Sequence, residues 1–442
     1  MLPSRRVFAL LLLNLAIVLL LAIAQGNDVW QNDVWQFALL LLLLDAIVLG
    51  LALWDANRAA QNRVTVTWQP HDRLSIGRDN AIALRVESGK RQAAIQLRDG
   101  YPLQFPVSAP LLQATLAPNS TQDLTYTIRP DRRGEFAWNT IHVRQLSPWK
   151  LAWHEWKVPQ DQTVAVYPDL IGLRSLSLRL TLESTGAIRR ARRLGTGTEF
   201  AELREYSVGD DPRFIDWKAT ARRGQPLVRV LEPEQEQTLI ILLDRGRLMT
   251  ARVKGLSRFD WGLNATLSLA LAGLHRGDRV GVAVFDRQIH TWIPPERGQH
   301  HLAHLIERLT PIEPALLEPD YLGAVTTLAN QQTRRALVVL ITDLVDATAS
   351  AELLAALGRL TPRYLPFCVT LRDPQVDQQA QAVTDDVSTT YARAVALDLL
   401  AQRQVAFEQL RRRGVLVLDA PVDRISEELV DRYLQLKARN KL

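Results

Sequence analysis

The sequence predicts an α/β protein: a doubly wound parallel sheet, preceded by a β-sandwich domain and an N-terminal transmembrane helical hairpin. Two apolar stretches, 7–24 and 37–54, open the chain; short runs of period-two alternation fill 62–168; and beyond 237 continuous apolar runs ending in acids alternate with helix-period stretches. The 442 residues exceed one compact core, since single cores stop growing at about 250–300 residues. The expected organisation is a helical hairpin (1–58), a β domain (62–168), a linking segment (185–236), an α/β body (237–422) and a C-terminal helix (423–442).

Each opening stretch reaches the roughly 17–25 apolar residues that cross a bilayer, interrupted only by Asn14 in the first and Asp45 in the second. Between them Asn27-Asp28-Val29-Trp30-Gln31 is repeated as Asn32-Asp33-Val34-Trp35-Gln36, with no Lys or Arg. Arg5 and Arg6 precede the first stretch and Arg58 and Arg63 follow the second, so the preference of basic residues for the cytoplasmic side puts both ends and the whole soluble body in the cytoplasm. Ala22-Ile23-Ala24 also imitates a signal-peptide cleavage site, but the second stretch would still stop transfer. An antiparallel hairpin brings Asn14 and Asp45 to similar depth, as a hydrogen-bonded pair joining the helices or as an intramembrane functional acid.

From residue 63 to about 167, runs such as Val64-Thr65-Val66-Thr67-Trp68 and Leu124-Thr125-Tyr126-Thr127-Ile128 alternate between turns at Ser88-Gly89, Asp99-Gly100, Pro118-Asn119 and Arg133-Gly134. This predicts half-buried antiparallel strands in an immunoglobulin-like sandwich without the cysteine pair. His71, His142 and His154 lack ligand spacing. The domain reads as a binding or spacing module.

Beyond Gln237, buried parallel strands are expected at 239–244, 279–285, 336–343, 365–371 and 416–419, with helices at 260–275, 301–309, 322–331, 350–360 and 391–413. Ligands of such a sheet bind at the carboxyl ends of its strands, where Asp244, Asp286 and Asp343 fall. The single cysteine, Cys368, excludes an intrachain disulfide and a cysteine-built zinc site. Net charge is +6, yet Arg residues are interleaved with acids and accompany no nucleic-acid module. The charge therefore suits a face near anionic lipid rather than nucleic acid. Arg189, Arg190, Arg192 and Arg193 read as lipid contact or a solvated linker.

Between the two bodies, residues 195–222 read Gly-Thr-Gly-Thr-Glu-Phe-Ala-Glu-Leu-Arg-Glu-Tyr-Ser-Val-Gly-Asp-Asp-Pro-Arg-Phe-Ile-Asp-Trp-Lys-Ala-Thr-Ala-Arg. This closely resembles the signature of the bacterial family known as domain of unknown function 58. Arg132-Arg133-Gly134, Ser147-Pro148-Trp149-Lys150-Leu151 and Val166-Tyr167-Pro168 resemble the family as well. The resemblance implies two inner-membrane helices, a β-rich segment, a body like the von Willebrand factor A domain, and cooperation with a MoxR-type AAA+ ATPase in assembling other proteins. Glu199, Arg204, Tyr206, Asp210, Asp211, Arg213, Asp216, Trp217 and Lys218 are the candidate partner-binding residues. The opposed charges could equally form a buried ion-pair network fixing a long loop, anchored by Phe200, Tyr206, Phe214, Ile215 and Trp217.

Domains like von Willebrand factor A often hold Mg²⁺ through Asp-x-Ser-x-Ser, a Thr and a further Asp. Here Asp244 fits the first acid and Asp343 the last, but Gly246 and Leu248 stand at the serine positions and Asp320 near the threonine position. With two hydroxyl ligands missing, the site reads as degenerate, an arginine such as Arg245 or Arg247 replacing the cation beside Asp244 or Asp343. His300, His301 and His304 read as an exposed helix start. No phosphate loop, nucleophile elbow or reactive cysteine is present. The expectation is a non-enzymatic interaction module, without a cofactor. A metal-dependent hydrolase using Asp244, Asp320 and Asp343, and a structural envelope protein binding through its β domain, are the alternatives.

Overall fold

The computed structural model describes residues 2–24, 34–69, 73–160, 162–194, 199–232, 237–344, 350–382 and 386–439, with side chains left out at 22, 24, 34, 183–194, 199–201 and 231–232. The chain divides into two compact units, Met1–Val166 and Tyr167–Leu442.

In the first unit helix α1 (Arg5–Ala24) packs along helix α2 (Val34–Gln61). Among the described residues one helix, Trp35–Gln61, is long and apolar enough to cross a membrane. Its Leu39, Leu42, Leu43 and Leu53 are exposed, an apolar surface that a bilayer, rather than water, would solvate. Asn14 Nδ2 donates to the Asp45 carboxyl at 3.1 Å, so the two polar interruptions satisfy each other. Such a bond contributes about 0.6 kcal/mol, rising to about 2. Asp45→Leu should therefore lower disulfide crosslinking between cysteines placed on the two helices, and unchanged crosslinking would count against the pairing. Most of the repeated segment between the helices, through Asp33, lies outside the described residues.

The rest of this unit is antiparallel. Its strands are β1 (Leu2–Pro3), β2 (Thr65–Gln69), β3 (Arg73–Ser75), β4 (Asn80–Glu87), β5 (Ala93–Gly100), β6 (Leu112–Leu116), β7 (Thr121–Ile128), β8 (Gly134–Leu146), β9 (Ala152–Val158) and β10 (Gln162–Tyr167). One sheet runs β2-β4-β7; the other runs β1-β9-β8-β10-β3, with β5 also on β8 and β6 on β5. Alternation places Ile82, Leu84 and Val86 inward. Trp68 of the first sheet packs on Trp138 of the second, ring centroids 5.9 Å apart. The buried Asp99 carboxyl accepts from Tyr126 Oη at 2.6 Å and Trp138 Nε1 at 3.2 Å, a polar clasp across the two sheets. His154 stacks on Trp156, and His71 lies outside the described residues.

The second unit opens with helix α3 (Leu170–Leu194), whose end, from residue 185, falls in the segment read as a linker; Leu173 and Leu180, seven residues apart, enter its core. The basic cluster from Arg189 to Arg193 lies at its end, where side chains are outside the description. The signature segment is a hairpin instead of a loop: β11 (Glu199–Glu205) pairs antiparallel with β12 (Leu227–Glu232), enclosing a 3₁₀ turn (Pro212–Phe214) and helix α4 (Trp217–Arg223). Glu202–Glu205 of β11 are all exposed while the buried Leu227 and Val228 of β12 are adjacent, so the alternation that marks a half-buried strand is missing.

The main sheet has six strands: β13 (Thr238–Asp244), β16 (Arg279–Phe285), β17 (Ile289–Glu296), β18 (Leu337–Thr342), β19 (Leu365–Arg372) and β20 (Leu416–Pro421), while β14 (Arg252–Val253) and β15 (Leu256–Ser257) form a small separate pair. The order is β17-β16-β13-β18-β19-β20, all parallel except β17. The five parallel strands are those the apolar runs predict. Strand β17 escaped because it contains Pro294-Pro295, which an edge position tolerates since one side of the strand needs no ladder partner. Leu239, Ile241 and Leu243 face helices α5 (Arg258–His275), α6 (Gln299–Leu309) and α11 (Ile425–Ala438). Ile240 and Leu242 face α7 (Tyr321–Gln331), α8 (Ala351–Gly358) and α10 (Val387–Arg412); α9 (Pro374–Gln381) contacts α10. Helices therefore cover both faces, leaving the carboxyl ends of the strands open to side-chain chemistry.

Candidate functional site

At the carboxyl end of β13, Asp244 is 1% exposed. Its carboxyl accepts from Thr342 Oγ1 at 2.7 Å, Tyr321 Oη at 3.1 Å and the Gly246 amide at 2.7 Å. Burial pushes its pKa up to about 6, the three hydrogen bonds opposing the rise and the Asp343 charge adding to it. Gly246 is needed at the turn because a Cβ there would meet the Leu317 carbonyl and the Pro319 ring at 2.9 Å.

Next to it runs an alternating chain of charges. Arg258 donates to Asp343 at 2.6 Å, and Arg403 bridges Asp343 at 3.1 Å and Asp419 at 2.8 Å. Arg372 pairs with Asp419 at 2.9 Å and with Asp377 at 3.1 Å. Three arginines thus meet three aspartates across β18, β19 and β20, and the group is neutral as a whole. Arg258 is placed by the start of α5, whose capping residue Ser257 exchanges hydrogen bonds with Asp260. Arg403 projects from α10, and its guanidinium also donates to the Leu344 carbonyl. Burial alone would lower the Arg403 pKa, but the Asp343 and Asp419 charges win and raise it.

The arginines that pair with Asp343 are Arg258 and Arg403, not the expected Arg245 or Arg247. Arg245 instead pairs with Asp286 at 3.0 Å, and Arg247 with Glu318 at 2.6 Å. Asp320 is a helix cap: its carboxylate accepts from the Gly323 amide at 2.7 Å at the start of α7. Among the described residues no group of three or more His, Cys, Asp or Glu is placed to hold a metal ion. Both oxygens of Asp343 are engaged, by the two guanidinium groups and the Leu344 amide. A Mg²⁺ ion wants several free oxygen ligands, and these residues do not fit one.

His301 is not part of an exposed helix start. It is 4% exposed, with Nε2 2.7 Å from the Val280 carbonyl oxygen. Cys368 is fully buried, which pushes its thiol pKa up to about 12. It should resist iodoacetamide in the folded protein and react only after denaturation; labelling of the native chain would contradict this burial.

In the signature hairpin Arg204 grips Asp210 with two bonds, one of 2.8 Å, and the Ser207 amide closes the turn on the same carboxylate. Asp211 pairs with Arg213 at 2.7 Å, and Asp216 both caps α4 through the Ala219 amide and pairs with Arg229 at 3.0 Å. These pairs are exposed, not buried, so they shape the hairpin more than they stabilise it. Trp217 is 69% exposed rather than an apolar anchor, with Val208 fully exposed and Lys218 beside it. Tyr206 is half-buried, its amide bonded to the Pro226 carbonyl. The side chain of Glu199 lies outside the described residues.

Arg258, Arg403, Arg372, Asp419, Thr342 and Tyr321 were not among the expected site residues. Arg403 had a signal: it stands on the apolar stripe Ala396, Arg403, Ala406, Phe407 and Leu410 of α10, where an unpaired charge would be untenable.

An uncharacterized protein of Mycobacterium tuberculosis is 23% identical over 209 residues, 46% of this chain and 65% of the relative. The chain thus spans about 65% of the length of that relative. The uncharacterized protein YeaD of Bacillus subtilis is 26% identical over 142 residues, 32% of this chain and 33% of that protein. Two solved structures are similar at 16% identity and a TM-score of 0.31. An aerotolerance-related membrane protein from Bacteroides fragilis covers 47% of this chain and 100% of its own, and BatB from Bacteroides thetaiotaomicron covers 46% and 99%. Residues 202–404, which hold most of the signature hairpin together with Asp244, Arg258, Asp343 and Arg403, match the family model described as protein of unknown function DUF58.

Proposed function

We propose that the chain is a non-enzymatic, membrane-anchored interaction module. In this reading α1 and α2 cross the inner membrane as a two-pass hairpin with both soluble units in the cytoplasm. The second unit is a von Willebrand factor A-like body whose cation site has given way to arginines, and the signature hairpin docks a protein partner. The resemblance makes that partner a MoxR-type AAA+ ATPase. The observation that carries the reading is the clamp of Arg258 and Arg403 on Asp343: the acid where the fold would place a metal ligand is already neutralised from within. The hairpin, meanwhile, offers an exposed Trp217 amid paired charges, the mixture of aromatic anchor and polar surroundings common at protein interfaces. The two-pass arrangement is supported by the first unit, where the start of α1 and the end of α2, which carry Arg5, Arg6 and Arg58, both bond the turn Ser147–Leu151. The hydrolase alternative loses support because Asp320 serves as a helix cap.

The test is affinity capture from detergent-solubilised membranes with the native chain and an Arg204→Ala, Trp217→Ala variant matched in circular dichroism. An AAA+ ATPase retained by the native chain and lost by the variant is the expected result. Equal retention would remove the hairpin from recognition, and failure of both to retain any ATPase would overturn the partner assignment.

A further inference from the structure

Where the helices of the first unit meet its β domain, the turn Ser147–Leu151 is held from two sides. The Asp55 carboxylate of α2 accepts from the Trp149 amide at 3.2 Å, Ser4 Oγ donates to the Lys150 carbonyl at 2.6 Å, and the Trp54 and Trp149 rings lie 5.0 Å apart. Beside this turn is a cavity of about 400 Å³ whose lining includes Arg5, Arg6, Arg144, Lys150, Leu2 and Trp153. Of its four cations, only Arg144 has an acidic partner among the described residues, Glu155 at 3.5 Å. Asp55, the acid nearest in sequence to α2's end, is fully buried and spends its carboxylate on backbone amides.

Lys150 carries a further indication. Its φ is +63°, a left-handed backbone in which a lysine is disfavoured relative to glycine. The turn thus holds a cation at a place where its backbone would favour a residue without a side chain.

We propose that this cavity holds the phosphate headgroup of an anionic phospholipid from the cytoplasmic leaflet, with Arg5, Arg6, Arg144 and Lys150 around the phosphate and Leu2 and Trp153 along the glycerol and upper acyl region. The inference rests on the reading of α1 and α2 as membrane-spanning. Basic pockets at the cytoplasmic mouth of membrane helices take lipid headgroups for this reason, each cation near the surface contributing about 1 kcal/mol, or about fivefold in affinity. A tryptophan at this level suits the amphipathic interface.

Native mass spectrometry of the full chain, released from micelles containing equal phosphatidylglycerol and phosphatidylcholine, tests the proposal. One phosphatidylglycerol should be retained in clear preference. Lys150→Gly removes a charge while suiting the left-handed backbone, so it should keep the fold and weaken retention about fivefold; Arg144→Gln should weaken it again by a similar factor. Equal retention of the two lipids, no effect of Lys150→Gly, or displacement of the lipid by millimolar glycerol 3-phosphate would each overturn it. Carbonate extraction separates the premises: a chain released by carbonate refutes the membrane-spanning reading itself, whereas a carbonate-resistant chain without lipid preference refutes only the headgroup site.

Discussion

Replacing Arg403 by Leu is expected to destabilise the α/β unit by about 3–5 kcal/mol, the range found when one partner of a buried ion pair is removed. Leucine suits the apolar stripe of α10, so the loss would come from charge. Asp343, 4% exposed, and the partly exposed Asp419 would keep Arg258 and Arg372, but the group would carry one negative charge in excess with no guanidinium between the two acids. Adding Asp419→Asn to the leucine variant should recover most of the loss, because it restores neutrality and leaves the Arg258–Asp343 and Arg372–Asp377 pairs intact. Hydrogen exchange at the Val339 and Val369 amides of β18 and β19 reads the effect directly. Unchanged protection in the single variant would show that the charge chain contributes nothing.

Asp244→Asn should act in the opposite direction, and only at high pH. Burial holds the folded carboxyl at about 6 against its ordinary 3.8. Between those values the folded chain keeps a proton that the unfolded chain has lost, so stability falls as pH rises through this window and is level above it. Two pKa units correspond to about 3 kcal/mol. The asparagine never ionises, so the variant should gain on the native chain by about that amount between pH 4 and pH 8, while its amide can still bond Thr342 and Gly246. Exchange protection of the Leu242 and Leu340 amides at the two pH values measures this gain. A difference independent of pH would mean that Asp244 is not carrying a buried charge at neutral pH.

Much of this fold could be read from the residues, for reasons that also explain the omissions. Parallel strands buried on both faces leave continuous apolar runs, so Thr238–Asp244 and Leu337–Thr342 announce themselves. In the ribbon of Glu199–Glu205 with Leu227–Glu232 the buried Leu227 and Val228 are adjacent and Glu202–Glu205 are exposed, so no period of two appears, and a proline-bearing edge strand such as Ile289–Glu296 carries a contrary signal. At the site, Asp244 and Asp343 were legible because they end apolar strands. Their partners were not, because Arg258 and Arg403 come from helices 85 and 60 residues away from Asp343 in sequence, and only the packing of α5 and α10 brings them together. The capping role of Asp320 was not legible, because an acid that caps a helix and an acid that binds a cation look alike until the amide it accepts from is seen.

The proposed function requires that guanidinium groups, rather than a divalent ion, neutralise the carboxyl edge of the main sheet. Calorimetric titration of the full chain in detergent with Mg²⁺ tests it most directly. The arrangement predicts no stoichiometric binding at millimolar Mg²⁺, in the native chain and in Asp244→Ala alike; tight one-to-one binding that Asp244→Ala abolishes would contradict it.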